Sequence, residues 1–303
     1  MTISELLQTV RRVEVRTNRI VNDTMVGAYL SHFKGRGMDF EELREYIPGD
    51  EVRDIDWNVT YRMGRPFIKR YREERELGMV LAVDVSGSSG FGSVHRSKRE
   101  FATEIATTLA VSAARSSDKV ALLLFSDQVE LFLPPRKGRR HILRLIREMI
   151  AFEPRHRGTN IPAALAFLNH VLHRRAIIFL LTDFLHSFSQ SSTHGGRGTL
   201  AEIGLTNARH DVVCMHLHDP RESQLPAAGL LTIEDAETGE LLELDSNRSI
   251  VREKFARTNA ERLAELDRAL QRAGVATLRF STTDSFAQQL QHFFETRPGR
   301  RRG

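Results

Sequence analysis

The chain has 303 residues, of which 41% are hydrophobic and 27% are charged, a composition that excludes an intrinsically disordered protein. Its length suits one large domain with smaller attachments, because single hydrophobic cores stop growing at roughly 250–300 residues. The net charge of +5 leaves nucleic acid, anionic lipid and acidic proteins open as partners.

The beginning of the chain carries no recognisable targeting signal. The first twenty residues lack the basic start, apolar core and cleavage site of a signal peptide, and no apolar run approaches the ~18 residues of a membrane span. We therefore expect a cytoplasmic protein without a membrane span. Its single cysteine, Cys214, lies in the apolar run DVVCM and excludes disulfides within the chain and cysteine-based zinc sites.

Residues 1–77 are predicted to form a small mixed helical and β subdomain. Helix-like patterns at the start are followed by turn signals and by the strand-like stretches DIDWNVTYR and FIKRYRE. Asp54 and Asp56 are separated by one residue, a spacing at which two carboxylates could act as a catalytic pair. Arg53 and Arg62 lie nearby, however, and favour ion pairing as the reason for this pattern.

Residues 78–296 alternate strands with helices, which indicates a mostly parallel sheet with helices on both faces. An antiparallel hairpin interrupts the parallel order at its second strand, which we expect to end at the Pro134-Pro135 pair. A second interruption is the segment 220–247, which predicts an inserted hairpin around Glu237-Thr238-Gly239. Strands are expected at 79–84, 119–125, 128–133, 176–183, 211–217 and 275–281.

Two stretches are predicted to be irregular. SFSQSSTHGGRG at 187–198 has the composition of a mobile surface loop. The residues 297–303, RPGRRRG, are expected to be a disordered basic tail.

Oxygen-bearing side chains cluster where the predicted parallel strands end. Asp84, Ser86 and Ser88 follow the first buried strand, and Asp183 ends a later one. The strand after the hairpin turn runs antiparallel and ends at the opposite edge of the sheet. The next helix therefore leads back to the carboxyl edge of the parallel strands and places Thr159 there. Open parallel sheets bind ligands at this edge. Hydroxyl and carboxylate oxygens suit a hard cation such as Mg²⁺. The alternative is that the serines only cap the following helix.

This arrangement of DxSxS, then a threonine, then a strand-terminal aspartate resembles the metal-ion-dependent adhesion site of von Willebrand factor A domains. The resemblance implies a von Willebrand factor A (Rossmann-like) fold over residues 78–296. It also implies that Asp84, Ser86, Ser88, Thr159 and Asp183 ligate the metal, directly or through water. The expected ion is Mg²⁺, with Mn²⁺ and Ca²⁺ as alternatives. Ser89-Gly90 departs from the pattern, because an apolar residue is expected there, and could loosen the loop.

A wider resemblance covers nearly the whole chain. The segments GRGMDFEELREYIPGDEVRDIDWNVTYRMGRPFIKRYREERE, PPRKGRRH and DPRESQLPAAGLLTIEDAETGE look like the domain-of-unknown-function family number fifty-eight. These bacterial proteins are commonly found beside MoxR-type AAA+ ATPases. Together the resemblances imply a protein-binding adaptor rather than an enzyme, with a partner that contributes an acidic ligand residue, and a MoxR-type ATPase is the suspected partner.

Other functions remain open on the sequence. A metal-dependent hydrolase acting at the same rim is the leading alternative, and a basic nucleic-acid-binding protein is the third. No GxxxxGK[ST] motif for ATP occurs.

His216, His218 and Asp219 could form a second metal site, but packing is favoured because no third transition-metal ligand can be placed. Positive charge at residues 155–157 would steer an acidic ligand toward the rim, although an ordinary solvated loop explains it equally well.

Overall fold

The computed structural model describes residues 8–11, 13, 15, 17, 20–21, 38–73, 78–185 and 198–296. The predicted surface loop, apart from Gly198, and the predicted tail at 297–303 lie outside the described residues. Val10 and Val21, from the segment that precedes the first strand, are buried in the core. No helix in the described part of the chain has the length and apolar character that crossing a bilayer requires.

The first two strands form a small sheet of their own. β1 (Met38–Glu45) and β2 (Phe67–Glu73) pair antiparallel. Between them, DIDWNVTYR was predicted to be strand-like, and that prediction is wrong: α1 (Trp57–Met63) occupies this stretch. Asp56 caps the helix by accepting hydrogen bonds from the backbone of Asn58 and Val59, and Gly64 ends it in the left-handed conformation. Local capping therefore outweighs the β propensity of the sequence.

The centre of the protein is a six-stranded sheet with the order β10-β7-β6-β3-β4-β5. All of its strands are parallel except β5, which pairs antiparallel with β4. This is the strand order of doubly wound sheets, and it confirms the predicted fold class. The strands from the third onward are β3 (Gly78–Asp84), β4 (Lys119–Phe125), β5 (Val129–Arg136), β6 (Ala176–Thr182), β7 (Asp211–His218), β8 (Leu230–Glu234), β9 (Leu241–Asp245) and β10 (Ala276–Ser281).

Helices cover both faces of this sheet. Alternate residues of β3 enter two separate core clusters: Leu81 packs on one face and Val80 on the other. The first face is covered by α2 (Lys98–Arg115), α3 (Arg139–Ala151) and α8 (Ala287–Thr296), and the second by α4 (Ile161–Val171), α5 (Thr199–Arg209) and α7 (Ser249–Arg272). The short α6 (Pro220–Ser223) follows β7. Burial on both faces explains why β3 and β6 are continuous apolar runs.

Strand β5 extends further than predicted. We expected Pro134-Pro135 to end it, yet it continues to Arg136, which pairs with Val120. Proline lacks an N–H donor and is tolerated on an edge strand, and β5 is the edge of the sheet. The inserted hairpin is present as β8 and β9, which pair only with each other among the described strands.

Candidate metal-binding rim

Two carboxylates lie side by side at the carboxyl edge of the central sheet. Asp84 is the last residue of β3, and Asp183 directly follows β6. The two strands are parallel neighbours with Val83 opposite Leu181, so their ends present adjacent side chains. Both carboxylates are buried. The topology thus brings together two acidic residues that are 99 positions apart in the sequence.

The serine loop after β3 is folded around Asp84. The Ser86 backbone N–H donates to Asp84 Oδ1 at 2.9 Å, and the Ser86 and Ser88 hydroxyl oxygens lie 3.1 Å apart. Ser86 makes no capping hydrogen bond with its side chain, and Ser97 caps α2 instead. The alternative that these serines only cap a helix is therefore wrong.

Ser89 tightens this loop rather than loosening it. It is buried, and its hydroxyl donates to the Ser86 carbonyl oxygen at 2.7 Å. The departure from the expected apolar residue therefore supplies an internal hydrogen bond that fixes the loop carrying Ser86 and Ser88.

The oxygen arrangement fits a small divalent cation. Mg²⁺ binds oxygens at 2.0–2.1 Å in near-ideal octahedral geometry, so neighbouring ligand oxygens should lie about 2.9–3.0 Å apart. The 3.1 Å separation of the Ser86 and Ser88 hydroxyl oxygens is close to that edge length. Within the described residues no group of three or more His, Cys, Asp or Glu side chains could hold a metal, so an ion at this rim would need hydroxyl ligands beside the two carboxylates.

Asp84 lacks a cationic partner within the described part of the chain. Its hydrogen-bond partners are the Thr182 hydroxyl, at 2.6 Å, and Ser86. Burial, followed by the charge of Asp183, raises the pKa of Asp84 to about 7. A nearby positive charge would favour the ionised form of this carboxyl group and lower its pKa.

Asp183, in contrast, is paired with a buried lysine. Lys98 Nζ donates to Asp183 Oδ2 at 2.5 Å and also pairs with Glu222 of α6. Burial alone raises the pKa of Asp183, but the Lys98 charge and the hydrogen bonds from Lys98, Leu185 and Ser88 outweigh it and lower that pKa. For Lys98 itself, the two carboxylates outweigh burial and raise its pKa.

Sequence reasoning missed Lys98 and Glu222. Lys98 is only 1% exposed although it is the first residue of α2, a position that is usually solvated. The only sequence signal is its place directly after the helix cap Ser97, which forms a capping box with Glu100. That signal marks the start of a helix but not the direction in which the lysine points.

Thr159 lies on the loop that faces the serine loop. The Gly87 N–H donates to the Arg157 carbonyl oxygen at 2.8 Å, which joins the two loops. The Thr159 hydroxyl donates to Glu237 Oε1 at 2.7 Å. Glu237 belongs to the turn of the inserted hairpin, and its presence at the rim was not foreseen from the sequence.

The hairpin turn also packs tightly against the serine loop. A Cβ atom placed on Gly87 would lie 2.3 Å from the Ala236 carbonyl oxygen. Only glycine permits this approach of the two backbones. The hairpin turn, the serine loop and the Thr159 loop therefore meet at one place.

The basic residues near Thr159 are mainly at the surface. Arg155 and Arg157 are exposed, and His156 is half-buried with its Nδ1 3.6 Å from Asp127 Oδ1. The Arg155 and His156 backbone N–H groups donate to Glu130. The loop thus carries solvated positive charge on a backbone fixed by Glu130.

The histidines of β7 are packed rather than arranged around an ion. The buried His216 ring contacts Phe184 and lies 5.7 Å from the His218 ring between centroids. Asp219 instead caps α6 and accepts hydrogen bonds from Ser93 and Thr282. These contacts support the packing interpretation.

A family model described as "Protein of unknown function DUF58" matches residues 42–265 of the chain. The chain belongs to this family. The mycobacterial relatives include the uncharacterized protein Rv1480 of Mycobacterium tuberculosis, which is 28% identical over 296 residues, or 97% of this DUF58 chain and 90% of the relative. Another is the uncharacterized protein MAV169 of Mycobacterium avium, 29% identical over 54% of this chain and 93% of that protein.

Solved structures similar to this DUF58 protein include an aerotolerance-related membrane protein from Bacteroides fragilis. It shares 15% identity and covers 73% of this chain and 100% of its own, with a TM-score of 0.47. The SpRpn10 VWA domain shares 9% identity over 71% of this chain and 93% of its own, with a TM-score of 0.36. Both TM-scores lie below 0.5, so the fold class rests on the sheet order rather than on these likenesses.

Replacing Lys98 with methionine should destabilise the protein strongly. Lys98→Met leaves the Asp183 and Glu222 carboxylates without their cation, and breaking a buried ion pair from one side costs about 3–5 kcal/mol. Urea denaturation at pH 7 without divalent metal measures the loss. The exposed Lys254→Met on α7 is the control and should change the free energy of unfolding by less than about 0.5 kcal/mol. Equal effects of the two substitutions would contradict this account of Lys98.

The burial of His216 should make the fold acid-sensitive. Burial, then the nearby charges of His218 and Arg279, lower the pKa of His216 to about 3, whereas an unfolded histidine titrates near 6.5. The unfolded chain therefore binds a proton that the folded chain does not, and stability falls as the pH drops below about 6.5 toward 3.

His216→Leu removes this contribution, so the loss of unfolding free energy between pH 7 and pH 5 should shrink by on the order of 1–2 kcal/mol. The exposed His292→Leu is the matched control and should keep the wild-type pH dependence. An unchanged pH dependence in His216→Leu would show that folding does not lower the pKa of this histidine.

Proposed function

We propose that this protein is a metal-ion-dependent protein-binding adaptor. Asp84, Ser86, Ser88, Thr159 and Asp183 would hold a divalent cation, preferably Mg²⁺, directly or through water. The bound ion would supply a positive charge that accepts a carboxylate oxygen from a partner protein. A partner with an exposed acidic side chain is therefore the class of molecule that the rim would recognise.

The observation that carries this proposal is the buried Asp84. It lies beside Asp183, has no cationic partner in the described residues, and has its pKa raised to about 7 by burial and by that neighbour. A divalent cation would compensate this charge. The neighbouring hydroxyls supply the neutral oxygens that a hard ion needs beyond its carboxylates.

The surroundings favour a negatively charged partner. Arg155 and Arg157 lie exposed on the loop before Thr159, where they would attract a negatively charged ligand. The resemblance to proteins found beside MoxR-type AAA+ ATPases makes such an ATPase, or its client, the partner we propose. In that role the adaptor would take part in assembly or remodelling of the client.

Partner capture should require both the metal and Asp84. Immobilised full-length protein is incubated with purified candidate ATPase in Mg²⁺ or in EDTA, and the bound fraction is measured. Wild-type protein should retain the partner only with Mg²⁺, and Asp84→Ala should reduce retention at least tenfold. Asp54→Ala, which removes an exposed carboxylate far from the rim in sequence, is the control and should bind like wild type.

Retention that survives EDTA and Asp84→Ala would refute the adaptor proposal for this ATPase. Binding that survives chelation but falls steeply with salt would instead indicate a nucleic-acid or other polyanion contact.

A further inference from the structure

We propose that Glu237 is an internal ligand of the rim, whose carboxylate occupies the position that a partner's acidic side chain would take. This inference rests on the proposed metal-dependent function and adds a resident carboxylate to it. It follows from the contact between the Thr159 hydroxyl and Glu237 Oε1, 2.7 Å long, which joins a residue of the predicted ligand set to the inserted hairpin.

The hairpin turn presents Glu237 in a defined conformation. Asp235 Oδ1 accepts hydrogen bonds from the backbone N–H groups of Glu237, at 2.9 Å, and Thr238, at 3.0 Å. Gly239 closes the turn with a φ of 77° and donates to the Asp235 carbonyl oxygen at 2.7 Å. The orientation of the turn therefore does not depend on Glu237 itself.

The turn contacts the rim through its backbone as well. The Ala236 carbonyl oxygen would lie 2.3 Å from a Cβ on Gly87, the residue between the candidate ligands Ser86 and Ser88. Contact through both Ala236 and Glu237 fixes the carboxylate over the edge of the site rather than leaving it in solvent. It also explains why a residue without a side chain stands at position 87.

The rest of the hairpin is largely exposed. Leu230 and Leu241 are 69% and 68% exposed, so the strands cover little apolar surface. The base is held by the buried Ser246, which donates to the Gly229 carbonyl oxygen at 2.7 Å and accepts from Ala228. Isolated two-stranded hairpins are marginally stable, so docking of the turn contributes to its order.

In this arrangement the Glu237 carboxylate competes with an external carboxylate for the same position. A carboxylate built into the chain has a high effective concentration, so an external carboxylate must bind better or displace the hairpin turn. Glu237 would thereby raise the affinity for the metal and reject weak acidic ligands. The acidic partner would need contacts beyond one carboxylate.

The test uses Mn²⁺ as the metal and acetate as the external carboxylate, with the full chain. The water-proton relaxation enhancement of bound Mn²⁺ reports how many water molecules it coordinates. Glu237→Ala should show a higher enhancement than wild type, lowered by added acetate but not by sodium chloride of equal ionic strength. Its Mn²⁺ affinity should be weaker on the order of tenfold.

Glu240→Ala, at an exposed position of the same turn, is the matched control and should behave as wild type does, with an enhancement that acetate leaves unchanged. Because Asp235 and Gly239 hold the turn, Glu237→Ala is expected to fold. If Mn²⁺ binds both chains but Glu237→Ala matches wild type in enhancement and acetate response, the internal ligand is refuted and the metal site stands. If no chain binds Mn²⁺, the metal site itself falls, and the internal ligand with it.

Discussion

Two acidic side chains, Asp84 and Asp183, are buried next to each other at the ends of neighbouring parallel strands, and the surrounding structure compensates them unequally. Asp183 pairs with the Lys98 ammonium, whereas among the described residues Asp84 accepts hydrogen bonds only from hydroxyl and backbone donors. Like charges in a low-dielectric site repel strongly, so this pair is costly unless a further positive charge is supplied. A divalent cation would meet that requirement, and the hydroxyls of the serine loop would supply further oxygen ligands for it.

The same constraint gives a role to parts of the chain that are far apart in sequence. Lys98 begins α2 and Glu222 lies on α6, yet both belong to the charge network of the rim. The inserted hairpin adds Glu237, which accepts a hydrogen bond from the Thr159 hydroxyl. The start of α2, the short α6 and the hairpin turn all lie at the carboxyl edge of the sheet. This is the edge at which open α/β sheets bind ligands.

The fold class was predictable because the buried strands are short apolar runs between amphipathic helices, and their alternation leaves few topologies. Local features were less predictable. The stretch DIDWNVTYR has strand-like composition, but the Asp56 cap and Gly64 terminus make part of it helical. Pro134-Pro135 resembles a strand terminator, yet only the tertiary position of β5 at the sheet edge shows that proline is acceptable there.

For the rim, the chain order of Asp84, Ser86, Ser88, Thr159 and Asp183 and the direction of each strand predicted that their loops would meet. The ionic partners could not be predicted in this way. Whether Lys98 points inward depends on packing around α2, and contact between Glu237 and Thr159 depends on how the hairpin folds back over the sheet. Neither has a periodicity or spacing in the sequence that marks it.

We propose that the Asp84 rim binds one divalent cation. The most direct test of this proposal is the electron paramagnetic resonance signal of free Mn²⁺ during titration with purified wild-type protein and with Asp84→Asn. We expect one bound Mn²⁺ per wild-type chain, released by excess Mg²⁺, and no such binding to Asp84→Asn. Equal Mn²⁺ uptake by the two proteins, or none by wild type, would contradict it.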